Sequence, residues 1–310
     1  MRQSLAVLIL LAFSICSMYA VAGNQPTKPS KLAANTLLLD ISKTNKSYVA
    51  VGQRGHVLLS EHCQSTWQQI IVPTQVTLNA VFFVDETHGW IVGHDAVILK
   101  TTNGGYDWSL VHENKEASEP LFDVHFFDRH RGLAVGAYGS TMQTVDGGQS
   151  WQESPLYGED DYHLYSITSM SDGELVISGE AGSVYLSVNQ GERWEKLKVP
   201  YDGSFYGATA LKNDSLLIYG MRGHLYISSD LGYSWEKIVV DTQQSLVAAT
   251  EASNGSVVIV GNAGTVYHSA NGKRFADKSL DKRTHRVAIV ECNDSGYMTV
   301  GESGLEQLKF

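Results

Sequence analysis

The sequence predicts an all-β fold, a seven-bladed β-propeller of four-stranded antiparallel blades, and three observations carry that expectation. A glycine closing a short apolar run recurs at Gly52, Gly93, Gly136, Gly179, Gly220, Gly261 and Gly301, with spacings of 41, 43, 43, 41, 41 and 40 residues. An aromatic lies 15 residues after the first five of these, at Trp67, Trp108, Trp151, Trp194 and Trp235, and 14 after the sixth, at Phe275. The runs between are rich in Val, Ile, Phe and Thr, are broken by turn residues, and never hold apolar residues at helical spacing over three turns. Four short strands in about 40 residues, repeated seven times, match propeller blades, and a closed ring covers each blade on both faces.

The blades fall at about 36–71, 78–112, 121–155, 164–198, 205–240, 246–279 and 285–310. In the second, the four strands read as 78–84, 89–93, 96–102 and 108–112. The turn from third to fourth strand follows the pattern S/T-x-D/N-x-G-x-x-W. It supplies Asn103 with Trp108, Asp146 with Trp151, Asn189 with Trp194 and Asp230 with Trp235. Asp or Asn can take up backbone N–H groups there, Gly supplies a positive φ, and the indole packs beneath, so these residues read as structural rather than catalytic. Blade one lacks the Asp and Gly in its 60–67 turn, and blade six is one residue short.

Counting 15 from Gly301 passes Phe310, which leaves blade seven without an outer strand. Residues 23–35 either supply that strand across the join, where an outermost strand tolerates Pro26 and Pro29, or form a tail beside an open blade.

Of 310 residues, 43% are apolar and 18% charged, which excludes a disordered chain or a coiled coil. With 23 basic against 33 acidic residues the net charge is −10, so nucleic acid is excluded as a partner class. Arg2, the apolar run 5–15 and Ala20-Val21-Ala22 read as a signal peptide over 1–22, too short to span a hydrocarbon core of about 30 Å. The propeller, 23–310, is therefore expected to be exported, periplasmic or secreted, monomeric and without direct membrane insertion. Export places Cys63 and Cys292 in an oxidising compartment. They either pair across the join of blades one and seven or fill apolar positions separately, since an inner strand and an outer turn test the ~4.4–6.8 Å Cα reach of a disulfide.

The turn pattern resembles the Asp-box of the sialidase-type BNR repeat. The combined unit, Val135-Gly136-Ala137-Tyr138-Gly139 followed by TVDGGQSW, resembles the Ycf48/Hcf136 family of photosystem II assembly factors and its relatives in non-photosynthetic bacteria. The likeness covers nearly all of the chain after the signal segment and is strongest in blades two to five. It implies an exported propeller that binds protein partners during assembly; it does not imply photosynthesis.

A sialidase needs an arginine cluster, a Tyr nucleophile with a Glu partner and an Asp acid/base. The propeller offers Arg54, Arg129, Arg131, Arg193, Arg222, Arg274, Arg283 and Arg286, of which Arg129, Arg131 and Arg193 fall on turns expected to face away from a pocket. No Ser-His-Asp motif, phosphate loop, H-E-x-x-H or C-x-x-C spacing is present, and Glu159-Asp160-Asp161 lacks the spacing of a Ca²⁺ loop. No catalytic residue, metal or cofactor is expected. The alternative reading is a carbohydrate-binding protein or sialidase-like glycoside hydrolase on the same scaffold.

Propeller geometry gathers the second-to-third-strand turns and the connections between blades on one face. The turns supply Arg54, His56, His94, Asp95, Tyr138, Glu180, Arg222, His224 and Glu302, and the connections supply Tyr157, Tyr162, Tyr201 and Tyr206. Aromatics among charges of both signs suit a protein partner, here one from a membrane or envelope complex.

Overall fold

The computed structural model describes residues 25–116, 119–156, 161–293 and 296–309. The expected signal segment, Tyr157 and the Glu159-Asp160 pair lie outside these residues. Seven antiparallel sheets form, each with its strands in chain order; six have four strands and the last has three. The first strands are Leu38–Lys43, Leu78–Phe83, Leu121–Phe126, Leu164–Ser169, Phe205–Ala210, Leu246–Glu251 and Arg286–Glu291. Each contacts the next around an axis, and the last returns to the first, so the molecule is a closed seven-bladed propeller. Among the described residues the helical elements are all short 3-10 turns.

The core is divided among the blade interfaces. Each second strand, from Tyr48–Gly52 to Tyr297–Gly301, is buried at all five positions. Such strands read as near-continuous apolar runs, interrupted by Ser178 and Thr299, because a neighbouring blade covers each face. Val49, Val51 and Leu59 meet Leu78, Ile91 and Leu99 between blades one and two, and Leu58 meets Met298 and Val300 between blades one and seven. Each such aliphatic side chain contributes about 1.5–3 kcal/mol when fully buried. Trp90 is wholly buried, stacks on Phe126 at 3.4 Å and donates its indole N–H to the carbonyl of Gly147, tying blade two to a turn of blade three.

The repeated glycine is required by close approach. At Gly220 and Gly261 a Cβ would lie 2.0 Å from the carbonyl oxygen of Ser204 or Ser245, just before the blade's first strand. That same carbonyl accepts the N–H of the next residue, Met221 or Asn262, at 3.0 Å, which pins each second-to-third-strand turn to the incoming connection.

Among the described residues blade seven has three strands, and residues 25–35 do not pair with it as a fourth. This segment docks on blade one. The Thr27 N–H donates to Val72, and its hydroxyl lies 3.0 and 2.8 Å from the carbonyls of Gly55 and Thr74. Gln69 accepts the Ser30 N–H and donates to the Lys28 carbonyl. Blade one thus takes up the Thr27 N–H and the Lys28 carbonyl between the segment's two prolines. The following turn, Ala33–Asn35, touches the third strand of blade seven, Gly304–Leu308. On the opposite face Cys63 and Cys292 form a disulfide with Cα atoms 5.6 Å apart, and the Tyr48 hydroxyl accepts the Asn293 N–H.

Candidate functional site

Every first strand carries a register shift after its first residue. The extra, unpaired residues are Leu39, Asn79, Phe122, Tyr165, Tyr206, Val247 and Val287, one per blade at the same end of the channel. A bulge re-aims a side chain and is common beside binding sites. Over blades three to five the bulge residues are all aromatic, and they join a continuous arc. The Phe122 ring lies 5.8 Å from His163 and 6.0 Å from Tyr165, Tyr165 lies 5.4 Å from Tyr206, and Tyr138 meets His163 edge-on at 4.9 Å.

Hydrogen bonds set this arc. The backbone N–H of Tyr138 donates to His163 Nδ1 at 3.1 Å, so the ring's other nitrogen carries the proton when the imidazole is neutral. Glu180 accepts the His163 backbone N–H. Burial, then the charge of Glu180, pushes the Tyr165 hydroxyl above its ordinary pKa, keeping it a donor at neutral pH.

The second-to-third-strand turns surround the arc, and in blades one to six each places its middle residue in left-handed backbone. Arg54, Asp95, Tyr138, Ala181, Arg222 and Ala263 have φ between 52° and 58°. For a residue with a Cβ this costs about 1–2 kcal/mol, yet glycine is absent there. Arg54, Tyr138 and Arg222 are exposed, Tyr138 at 63%.

The predicted face is thus brought together in part. Arg54, His94, Asp95, Tyr138, Arg222 and Glu302 sit on its turns, with His94 and Glu302 exposed and Asp95 half-buried. Glu302 accepts the His285 N–H at 2.9 Å. Tyr206 belongs to a strand rather than a connection. His56 is turned inward at 4% exposure against the Thr36 hydroxyl, and burial lowers its pKa. Tyr201 stacks on His224 at 3.6 Å, whose Nδ1 meets the Tyr226 hydroxyl, so these two brace each other. Tyr162 is half-buried, with Lys196 over its ring. Sequence reasoning missed Phe122 and Tyr165; their signal was the aromatic at the second position of three successive first strands.

The opposite face is built differently. Asp146 accepts the Ser150 N–H and hydroxyl and the Thr144 hydroxyl, and Asp230 does the same with Ser234 and Ser228. The Ser150 hydroxyl, then its N–H, holds the Asp146 carboxyl down to about 2. Asn103 and Asn189 accept one N–H each from Asp107 and Arg193. In blade six, where the turn is one residue shorter, Asn271 accepts the Lys273 N–H and the Ser269 hydroxyl. Trp108 donates to Gly105, whereas the indole nitrogens of Trp151, Trp194 and Trp235 have no partner. The arginines are spread out: Arg129 pairs with Asp85, Arg131 with Asp128, and Arg286 with Glu306.

Between the faces, the channel holds two carboxylates that bridge blades. Asp40 accepts N–H groups from Ile41 and, across the interface, Val81; Asp123 accepts from Val124 and Ile167. At the corresponding place between blades five and six the Tyr219 hydroxyl accepts the Ala249 N–H, and Gly207 leaves it room. Burial raises Asp40 to about 6, and burial plus the charge of Asp40 raises Asp123 to about 7. Asp123 lines a 320 Å³ cavity with Val81, Ile167 and Ala208. A larger cavity, 550 Å³, lies apart from the aromatic arc between the turns of blades five and six, beside Trp235 and Lys273. No cluster of metal-ligating side chains occurs among the described residues, nor does a helix long and apolar enough to cross a membrane.

Comparison with known proteins places the chain among propellers of one kind. A family model described as photosynthesis system II assembly factor YCF48 matches residues 59–119 and 112–298. The photosystem II assembly protein Ycf48 of Thermosynechococcus vestitus is 40% identical over 42 residues, 14% of this chain and 12% of that protein. One from a Synechococcus strain is 44% identical over 46 residues, 14% of each chain. The chain therefore aligns with only 12–14% of the length of these curated relatives. Among solved structures, YCF48 bound to D1 peptide superposes with a TM-score of 0.73 at 18% identity, covering 89% of this chain and 94% of that one. YCF48 from Cyanidioschyzon merolae gives 0.72 at 16%, covering 93% and 99%. A streptogramin B lyase gives 0.77 at 13%, covering 89% and 95%. At such identities these three share the fold. The family model, in contrast, runs across most of the ring, and the chain belongs to the photosynthesis system II assembly factor YCF48 family.

Proposed function

We propose that this protein is a non-catalytic binding scaffold that takes an extended segment of a partner protein across the mouth of its channel and thereby assists assembly of a membrane or envelope complex. The observation that carries this reading is the arc of Phe122, Tyr138, His163, Tyr165 and Tyr206, ringed by Arg54, Arg222 and Glu180. Aromatic anchors with a charged rim fit a peptide, since rings bury area at little entropic cost and charges fix direction. The family supports the reading, and the D1 peptide carried by one similar structure supports a segment of a membrane-complex subunit as the class of ligand. The signal-like 1–22 segment supports action outside the cytoplasm. The ion pairs that occupy Arg129, Arg131 and Arg286 argue against an arginine cluster of the sialidase type.

The test is a photo-cross-linking residue at position 138 in the full chain, expressed in cells and irradiated in an envelope extract. A cross-linked peptide from a membrane-complex subunit is expected. Absence of any cross-linked protein, together with turnover of a glycoside substrate, would overturn the reading in favour of the enzyme.

A further inference from the structure

We propose that the outer edge of blade seven is a second docking site, distinct from the channel mouth, which receives a short, extended, acidic segment of a partner protein as the blade's fourth strand. The register defines the place. In blades three to six the carbonyls of Thr141, Val184, Leu225 and Val266 accept the N–H of the residue just after the fourth strand, Ser154, Leu197, Ile238 and Lys278, at 2.8–2.9 Å. Each of those four residues pairs with the residue just before the repeated glycine of the second strand. In blade seven Leu305, opposite Val300, holds that register. Among the described residues no backbone N–H reaches its carbonyl. Backbone groups alternate in direction along a strand, so the Leu305 and Gln307 amides and carbonyls share this edge. An unpaired edge is a template for strand addition.

Charge and side-chain chemistry select the occupant. The chain carries −10 overall, yet Lys282, Arg283 and Lys309, flanking blade seven in sequence, and Lys28 and Lys31, on the segment leading into the turn that touches it, are all exposed. Glu306 is already engaged by Lys282, Thr284 and Arg286, which leaves Asp281 and Glu302 as the nearby exposed acids. Arg286 itself is 2% exposed at a position where the other six blades carry Leu or Phe, and its Nε and Nη1 have no hydrogen-bond partner. Exposed Leu32 and Leu280 lie on the two flanking segments. An incoming strand that alternates carboxylates with apolar side chains satisfies the edge, the excess positive charge and the two leucines together. The fourth strands of blades three to six are two residues long, so a short segment suffices.

The experiment uses the full chain and two ten-residue synthetic peptides, one alternating Val and Glu, the other Val and Lys, read by fluorescence anisotropy and by amide hydrogen exchange over 304–309. The Val/Glu peptide is expected to bind and to slow exchange in 304–309 at least tenfold, with the Val/Lys peptide inactive. Gln307→Pro, which removes an outward N–H, and the exposed double variant Arg283→Glu/Lys309→Glu are each expected to weaken binding at least tenfold while remaining folded by circular dichroism. Tyr138→Ala, on the channel mouth, is expected to leave this binding unchanged, which separates the site from the peptide-binding face. Equal binding of both peptides, protection confined to other strands, or protection of 304–309 by self-association or by residues 1–24 of the uncleaved chain would overturn the proposal.

Discussion

The two faces of this propeller use their polar and strained residues in opposite ways. On the face of the third-to-fourth-strand turns, Asp146 and Asp230 direct both carboxylate oxygens to their own turn, so the side chains serve the backbone that carries them. On the other face, Arg54, Tyr138 and Arg222 stand at positive φ with their side chains exposed, so the backbone serves the side chains. Positive φ alone does not separate the faces, since Gln190 and Leu231 carry it on the turn face as well; what differs is whether the side chains bond back to their own turn or stand free of it.

The largest effect concerns the frame that keeps the two faces in register. The Cys63–Cys292 bond closes a loop with a sequence separation of 229 at a seam that has no shared strand among the described residues. On the chain-entropy model it contributes up to about 5 kcal/mol. Cys63→Ser is expected to lower the denaturant midpoint markedly, and reductant is expected to do the same to the wild type alone.

Protonation sharpens the contrast between the turn face and the channel. Asp40 and Asp123 hold protons up to about 6 and about 7 when folded, whereas an unfolded Asp releases its proton near 4. The folded chain therefore binds more protons across this window, and stability falls as pH rises from about 4 to 7, by on the order of 3 kcal/mol per carboxylate. Asp146 has the opposite sign: its depressed value means stabilisation that is present above about 4 and lost as pH falls toward 2. Thermal melts across this range are expected to be flattened above pH 4 by Asp40→Asn/Asp123→Asn, whereas Asp146→Asn is expected to lower stability above pH 4 and to lose that effect as pH falls toward 2.

Smaller effects separate structure from binding. Ser228 is 2% exposed, and its hydroxyl oxygen accepts the Gly232 N–H at 2.8 Å, so Ser228→Ala is expected to cost about 1–2 kcal/mol in urea unfolding with no change in partner affinity. Smallest in stability is a matched pair of glycine substitutions. Leu231 and Tyr138 both have positive φ, at 59° and 53° on opposite faces. Relief of left-handed strain, offset by glycine's entropy, is expected to stabilise Leu231→Gly and Tyr138→Gly by about 0.5–1 kcal/mol each. Only Tyr138→Gly is expected to weaken partner binding, by tenfold or more.

What the sequence made legible follows from how local each constraint is. The glycines and tryptophans repeat because every blade meets the same close approach and the same turn, so seven copies of one steric demand stand out. Phe122 and Tyr165 were hidden because a bulge breaks the regular alternation of a six-residue strand, and the residue it re-aims is ordinary to a periodicity reading. Asp40 and Asp123 bridge to amides about 40 residues away, a relation that exists only once the blades are side by side. Arg286 and Glu306 carry no signal singly; as a pair they stand where the other blades pack apolar side chains, in the blade with three strands among the described residues. The path of residues 25–35 depended on blade one offering Gln69 and three carbonyls, which no local pattern announces.

Hydroxyl-radical footprinting of the full chain, free and captured with its partner from an envelope extract, tests the assignment of faces most directly because each face carries tyrosine reporters. Protection of Tyr138, Tyr165 and Tyr206, with Tyr106 and Tyr233 on the opposite face as reactive as in the free chain, is the predicted result. Protection of Tyr106 and Tyr233 with Tyr138 left reactive would contradict it.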